Sequence, residues 1–162
     1  MKVLEQYANG SSELSSALSG LSDEQLDAIP VPGKWSIRQV VCHIADFELV
    51  YADRMKRVIA ETEPTFFGGD PDTFAAGLAY KQRDINEELR LIESVRRQVT
   101  RIIQTLEERD FQRTGVHKED GQLSLATLLT SVTLHLPHHL AFIEEKIAAM
   151  KAKPHKEGRS NL

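Results

Sequence analysis

SIRQVVCHIADFELVYADRMKRVIA, residues 36–60, carries the period of an α-helix. Ile37, Val40, Val41, Ile44, Phe47, Tyr51, Met55 and Val58 recur three and four residues apart, so they fall on one stripe of a helix. Ser36 has the chemistry of an N-cap, and Gln39 stands three residues on, completing a capping box. Pro30, Pro32 and Gly33 make a turn just upstream. The spacing therefore predicts a helix from Ser36 to about Ala60, with one apolar face that must be buried against other elements.

The same period extends in both directions. Upstream, Val3, Leu4, Tyr7, Leu14 and Leu18 form the apolar face of a helix over 2–18, weakened by Gly10 and the serines around it. Ser22 and Gln25 make a second capping box, opening a short helix that ends before Pro30. Downstream, Leu89, Ile92, Val95, Val99, Ile102 and Leu106 predict a third long helix over 84–108. Leu125, Leu128, Val132, His139, Phe142, Ile143 and Ile147 predict a fourth, from after Ser124 to Met150. No segment alternates as a strand does. Four long helices with one apolar face each predict an all-α four-helix bundle. One domain over residues 1–150 is expected, followed by a polar tail over 151–162 that frays.

At 162 residues such a domain buries about two-thirds of its unfolded surface. The net charge of −4 and the lack of a basic face argue against a nucleic-acid partner. The single cysteine, Cys42, fits a reducing compartment and reads as a packing residue. The opening residues lack the apolar core of a signal peptide, and no run approaches the roughly 20 apolar residues of a membrane span. A cytoplasmic protein without a membrane partner is expected.

His135 and His139 are four residues apart, so they stack on adjacent turns of one helix face. His43 lies on the apolar stripe of the 36–60 helix, between Val40 and Phe47. Three imidazoles facing a bundle core can share a metal ion. They can also be a core cluster satisfied by carbonyls or water, and spacing alone does not choose. His138 has a mixed strip of neighbours and belongs at the rim. Pro137 offers no N–H to Thr133, so a kink or widened turn is expected beside the pair. Asp46, one turn beyond His43, could orient a ligand or act as a base, or be a solvated carboxylate. His117, in the 115–121 segment, is expected to be an exposed loop residue, and His155 to lie in the tail.

The link over 61–83 is long and rich in aromatic residues, which points to function more than to disorder. Phe66, Phe67 and Tyr80 are expected either to wall the mouth of a metal cavity or to plug the bundle end, with Gly68 and Gly69 lending mobility.

GKWSIRQVVCHIADFE (33–48), RTGVHKEDGQLSLATLL (113–129) and HLPHHL (135–140) together resemble the signature of the DinB/YfiT-like superfamily. The resemblance runs from the first helix to the end of the fourth. It implies a four-helix bundle, a homodimer, and a divalent ion, zinc or nickel, held by His43, His135 and His139. It also implies varied chemistry. Some members are S-transferases that use a low-molecular-weight thiol such as bacillithiol, mycothiol or glutathione against a small electrophile. Another branch is a thiol-dependent isomerase, and others are known only by description as metal-dependent hydrolases. Members often carry Gln three residues after the last histidine. Here that position is Phe142, which implies a more apolar substrate pocket.

Overall fold

In the computed structural model, which describes residues 2–152, the Ser36 box forms as the sequence predicts. The Gln39 N–H donates to Ser36 Oγ (3.3 Å) and the Ser36 N–H donates to Gln39 Oε1 (3.0 Å). The helix that follows, α3, spans Ile37–Ala60. Before it come α1 (Lys2–Leu18) and the short α2 (Asp23–Asp27), opened by the Ser22–Gln25 box. After it come β1 (Thr65–Phe66), α4 (Pro71–Gly77), α5 (Ile85–Ile103), β2 (Thr114–His117), β3 (Gly121–Ser124) and α6 (Leu125–Ala152). Single turns of 3-10 helix lie at Tyr80–Gln82 and Glu108–Gln112.

The four long helices close a ring. α3 packs on α5 and α6, and α1 packs on the same two from the other side. Their apolar faces meet in two clusters. One centres on Leu14, Val41, Ile44, Ile92 and Ile143. The other centres on Met55, Val58, Val99, Leu128 and Val132. Among the described residues no helix is long and apolar enough to cross a membrane.

A charged group lies where the clusters meet. Arg96 falls between Ile92 and Val99 on α5, and Glu48 between Ile44 and Ala52 on α3. Arg96 Nε and Nη2 donate to Glu48 Oε2 at 2.9 and 2.8 Å, and the Tyr7 hydroxyl donates to Glu48 Oε1 at 2.7 Å. Arg96 Nη1 donates to the Tyr7 carbonyl at 3.0 Å, with the guanidinium 4.8 Å from the Tyr7 ring centre. Burial pushes the Glu48 carboxyl up, and the Arg96 charge opposes it. Gly10 explains itself here: a Cβ at that position would lie 2.4 Å from Arg96 Nη1. The glycine costs α1 helix propensity and provides the space through which Arg96 reaches Tyr7.

The structure departs from the sequence reading at one end. Three short strands form a sheet in the order β1-β2-β3, with β1 parallel and β3 antiparallel to β2. Strands of two to four residues are too short to show a period-two pattern. Gly121 (φ +74°) turns the hairpin, and the Phe66 ring packs where a Cβ on Gly115 would stand. His117 is therefore buried, not exposed. Its Nδ1 accepts from the Asp120 N–H at 3.1 Å, and its ring faces Phe66. The third helix stops at Ile103, not near Glu108, because Glu107 and Asp110 cap a separate turn. Leu106 still joins the apolar cluster from outside the helix. The link over 61–83 holds β1, α4 and one 3-10 turn. α6 continues through Pro137 to Ala152, taking in the first two residues of the expected tail. His155 lies outside the described residues.

Chemical denaturation tests the central ion pair. Arg96→Met leaves a buried carboxylate without its counter-charge and should cost about 3–5 kcal/mol. Glu48→Leu should cost a similar amount, and the double variant much less than the sum. Gly10→Ala, which gains about 1 kcal/mol in an open helix, should instead lower stability. A Gly10→Ala protein more stable than the parent would show that Arg96 is free to move.

Candidate metal centre

His43 stands two turns into α3, where the Ser36 box has fixed the start of the helix. His135 and His139 stand on adjacent turns in the middle of α6, and α3 packs against α6. Packing the two apolar stripes together brings the three rings edge to edge. Nε2 of His43 lies 3.1 Å from Nε2 of His135 and 3.0 Å from Nε2 of His139, and the last two are 3.1 Å apart.

Hydrogen bonds cannot satisfy this triangle. An imidazole Nε2 either carries a proton or presents one lone pair. Of three such atoms, at least two are in the same state, so at least one contact sets lone pair against lone pair or N–H against N–H. A cation within reach of all three removes the conflict. The rings are in the right state for one. Burial is the main cause lowering the pKa of His43 to about 4, His135 to about 3 and His139 to about 4. The neighbouring rings add to this for His135 and His139. All three are therefore neutral near pH 7, with lone pairs free to ligate. Three imidazoles are a donor set that suits a divalent transition-metal ion. Among the described residues no cysteine or carboxylate joins the group. Cys42 faces the Tyr80 carbonyl at 3.5 Å, and burial pushes its thiol up to about 12.

Aromatic rings enclose the histidines. Trp35 lies 5.4 Å and Phe47 4.5 Å from His43, centre to centre. Phe47 and Tyr51 lie 6.0 and 6.1 Å from His135, and Phe142 lies 5.7 Å from His139. Phe74 of α4 packs on Phe47 at 5.5 Å, and Gly69 sits close against both. His138 is exposed at the rim, 5.2 Å from His139.

The long link thus reaches the centre, through rings other than those expected. Phe74 touches the wall. Phe66 packs in the cluster at the sheet end, with His117 as its aromatic neighbour. Phe67 is 69% exposed and lines a surface cleft with Gly68, Asp70 and Lys118. Tyr80 is buried against Trp35, one ring removed from His43. Phe142 stands beside His139, at 5.7 Å between ring centres. Trp35, Phe47 and Tyr51 were legible as a cap neighbour and as stripe residues at i+4 and i+8 from His43, but a stripe does not show which of its members bound an opening. A groove of about 750 Å³ between the end of α1, α2 and the start of α5 contains none of the histidines.

Asp46 makes no hydrogen bond to His43: its two carboxylate oxygens accept from Arg83 Nη1 at 2.9 Å each, while among the described residues His43 Nδ1 is buried without a hydrogen-bond partner. Arg83 also donates to Glu88 (2.8 Å), tying the link to α3 and α5. The Tyr80 hydroxyl is buried beside this network, close to Asp46. Burial and the Asp46 charge hold its phenol well above the usual range.

Elemental analysis should find about one divalent ion per chain, as expected for a single three-histidine group. His43→Ala, His135→Ala and His139→Ala should each remove it, and His138→Ala should keep it. Loss in His138→Ala with retention in His139→Ala would overturn the ligand set. In the metal-free protein, stability should fall as pH drops from about 6.5 toward 4. In that window the unfolded chain takes up protons that the buried rings do not.

Comparison with known proteins agrees with this architecture. The sequence pattern of the DinB superfamily matches residues 6–143. A protein of Oceanobacillus iheyensis named "putative metal-dependent hydrolase" is 29% identical over 148 residues, 89% of this chain and 81% of that one. A second, of the same name and organism, is 32% identical over 130 residues, 80% of this chain and 75% of that one. The solved structure of YfiT from Bacillus subtilis matches with a TM-score of 0.87 at 26% identity, over 94% of this chain and 87% of that one. It is described as "a probable metal-dependent hydrolase with an unusual four-helix bundle topology". A mostly helical four-helix bundle, a three-histidine group between two of its helices and a match over most of its length show that the chain belongs to the DinB superfamily.

Proposed function

We propose that this protein is a metal-dependent enzyme that transfers the sulfur of a low-molecular-weight thiol to a small apolar electrophile. The observation that carries the reading is the triangle of three neutral histidines with no fourth protein ligand among the described residues. Structural zinc sites are closed by four protein ligands, whereas three leave room for a reactant. A divalent ion bound there would lower the pKa of a thiol or water and supply a nucleophile at neutral pH.

The protein's own residues favour sulfur over water. Trp35, Phe47, Tyr51, Phe74 and Phe142 make a wall that suits an apolar electrophile and disfavours bulk water. Their packing holds His43, His135 and His139 in one orientation before any ligand arrives. In the reaction the thiol proton leaves to solvent and the sulfur forms a bond to the electrophilic carbon. The leaving group departs with its electron pair. Asp46 is held by Arg83 and has no part in these steps. Hydrolysis at the same centre is the second reading, supported by the names of the relatives.

Metal-loaded protein should accelerate conjugation of a small thiol to a model electrophile, and chelator or His43→Ala should abolish it. The rate should rise with pH through a midpoint well below the roughly 8.5 of a free thiol. If no thiol in a broad panel reacts but esters or amides turn over with the same metal dependence, the enzyme is a hydrolase. We further propose a homodimer joined through helix faces, in keeping with exposed Leu134 on α6. Light scattering should then give about twice the 18.2 kDa chain mass, and a lone monomer at tens of micromolar would reject it.

A further inference from the structure

His135, His139, Phe142 and Lys146 follow one another at spacings of four, three and four, on one stripe of α6. Helix side chains lean toward the N-terminus, so Lys146 reaches back over Phe142 in the direction of His139. Its Nζ lies 5.8 Å from the centre of the Phe142 ring, which itself stands 5.7 Å from His139. Lys146 is only 3% exposed. Among the described residues its ammonium has one hydrogen-bond partner, the Phe142 carbonyl of its own helix, at a long 3.4 Å. It makes no salt bridge among those residues.

That isolation sets it apart from the buried Arg38, Arg54 and Arg96 and from the half-buried Arg83. Arg38, Arg83 and Arg96 each meet a carboxylate at 2.9 Å or less, and Arg54 donates to the Phe67 carbonyl at 2.7 Å. Burying an ammonium without a counter-charge is costly. Lys34, in the turn before α3, adds like charge to the surroundings of Lys146, and Glu145 opposes it without reaching salt-bridge distance. An uncompensated cation beside a ligand-binding centre is what recognition of an anion requires.

We propose that Lys146 is an anion subsite of the histidine centre, taking the carboxylate of a small organic acid whose other end reaches the open side of His43, His135 and His139. The proposal rests on reading the centre as a metal-dependent active site, and it narrows the reactants to a class in which at least one bears a carboxylate. Phe142 lies between the two ends and offers its ring to the apolar body of such a molecule.

Benzoate and benzamide share a shape and differ in charge, so they separate this subsite from the apolar wall. Binding of each to metal-loaded protein can be followed by calorimetry or ligand-observed NMR. Benzoate should bind about tenfold or more tightly than benzamide, the expected scale of one charge-assisted contact. Lys146→Met keeps the buried stem and should erase the preference with metal content unchanged, while Lys146→Arg should retain it. A preference that survives in Lys146→Met would place the anion on the metal alone and overturn the proposal, as would no preference in the parent. Protein that holds no metal yet still prefers benzoate would keep the subsite and remove the metal-enzyme reading. Metal-loaded protein without the preference would do the reverse. Mercaptoacetate against 2-mercaptoethanol, run the same way, assigns the carboxylate to the thiol; a preference for benzoate alone assigns it to the electrophile.

Discussion

The bundle is organised around one buried ion pair. Arg96 on α5 grips Glu48 on α3 and the backbone of Tyr7 on α1, and Tyr7 closes the loop by donating to Glu48. A charged pair out of water tolerates little misalignment, because each lost hydrogen bond leaves a buried polar group unmet. The pair therefore holds three of the four long helices in one register. The fourth follows by contact: a Cβ at Gly10 would meet Arg96 on one side and Leu136 of α6 on the other. Leu136 is the neighbour of His135, and Glu48 lies five residues past His43. The placement of the histidine triangle thus depends on the same lock. The Arg96 charge also helps to keep His135 neutral.

Around the triangle the protein separates two kinds of chemistry. Rings from the turn before α3, from α3 itself, from α4 and from α6 form an apolar wall on the histidines. Charges are kept out of that wall by pairing them elsewhere. Asp46 and Glu88 both pair with Arg83, and Arg38 is held by Asp23 and Asp27. Lys146 and Arg54 are buried cations without a carboxylate partner among the described residues; Arg54 donates to the Phe67 carbonyl at 2.7 Å and stacks on Tyr51, whereas Lys146 has only a long contact to its own helix. A site that is apolar, lined with neutral lone pairs and bordered by a cation beside Phe142 suits a molecule with a soft or electrophilic end and an anionic end.

Local rules placed the helices accurately. Both capping boxes form, and α1 and α3 end at Leu18 and Ala60 as read, because caps and a period-3.6 stripe are local signals. The sheet was not legible. Its strands are short, and their stability comes from parallel pairing of Thr65 and Phe66 with Val116 and His117, residues some fifty positions apart. The burial of His117 follows from that pairing. The same limit applies to the long link. Its aromatic content announced a role at the centre, but whether Phe66 or Phe74 reaches it depends on β1 joining the sheet and α4 folding over Phe47.

The sequence by itself determined the helical period, the caps, and the face on which His43, His135 and His139 lie, since these follow from backbone geometry within a few residues. Only the tertiary structure decided the rest. Asp46 is one turn from His43 in the chain, yet Arg83, thirty-seven residues on, takes its carboxylate. Lys146 follows Glu144 and Glu145 directly in the chain, yet it is buried while both glutamates stay exposed. Side-chain pairing is settled by which groups the packed helices bring within about 3 Å of one another. Where several partners are compatible in charge, the chain order does not rank them; the packing does.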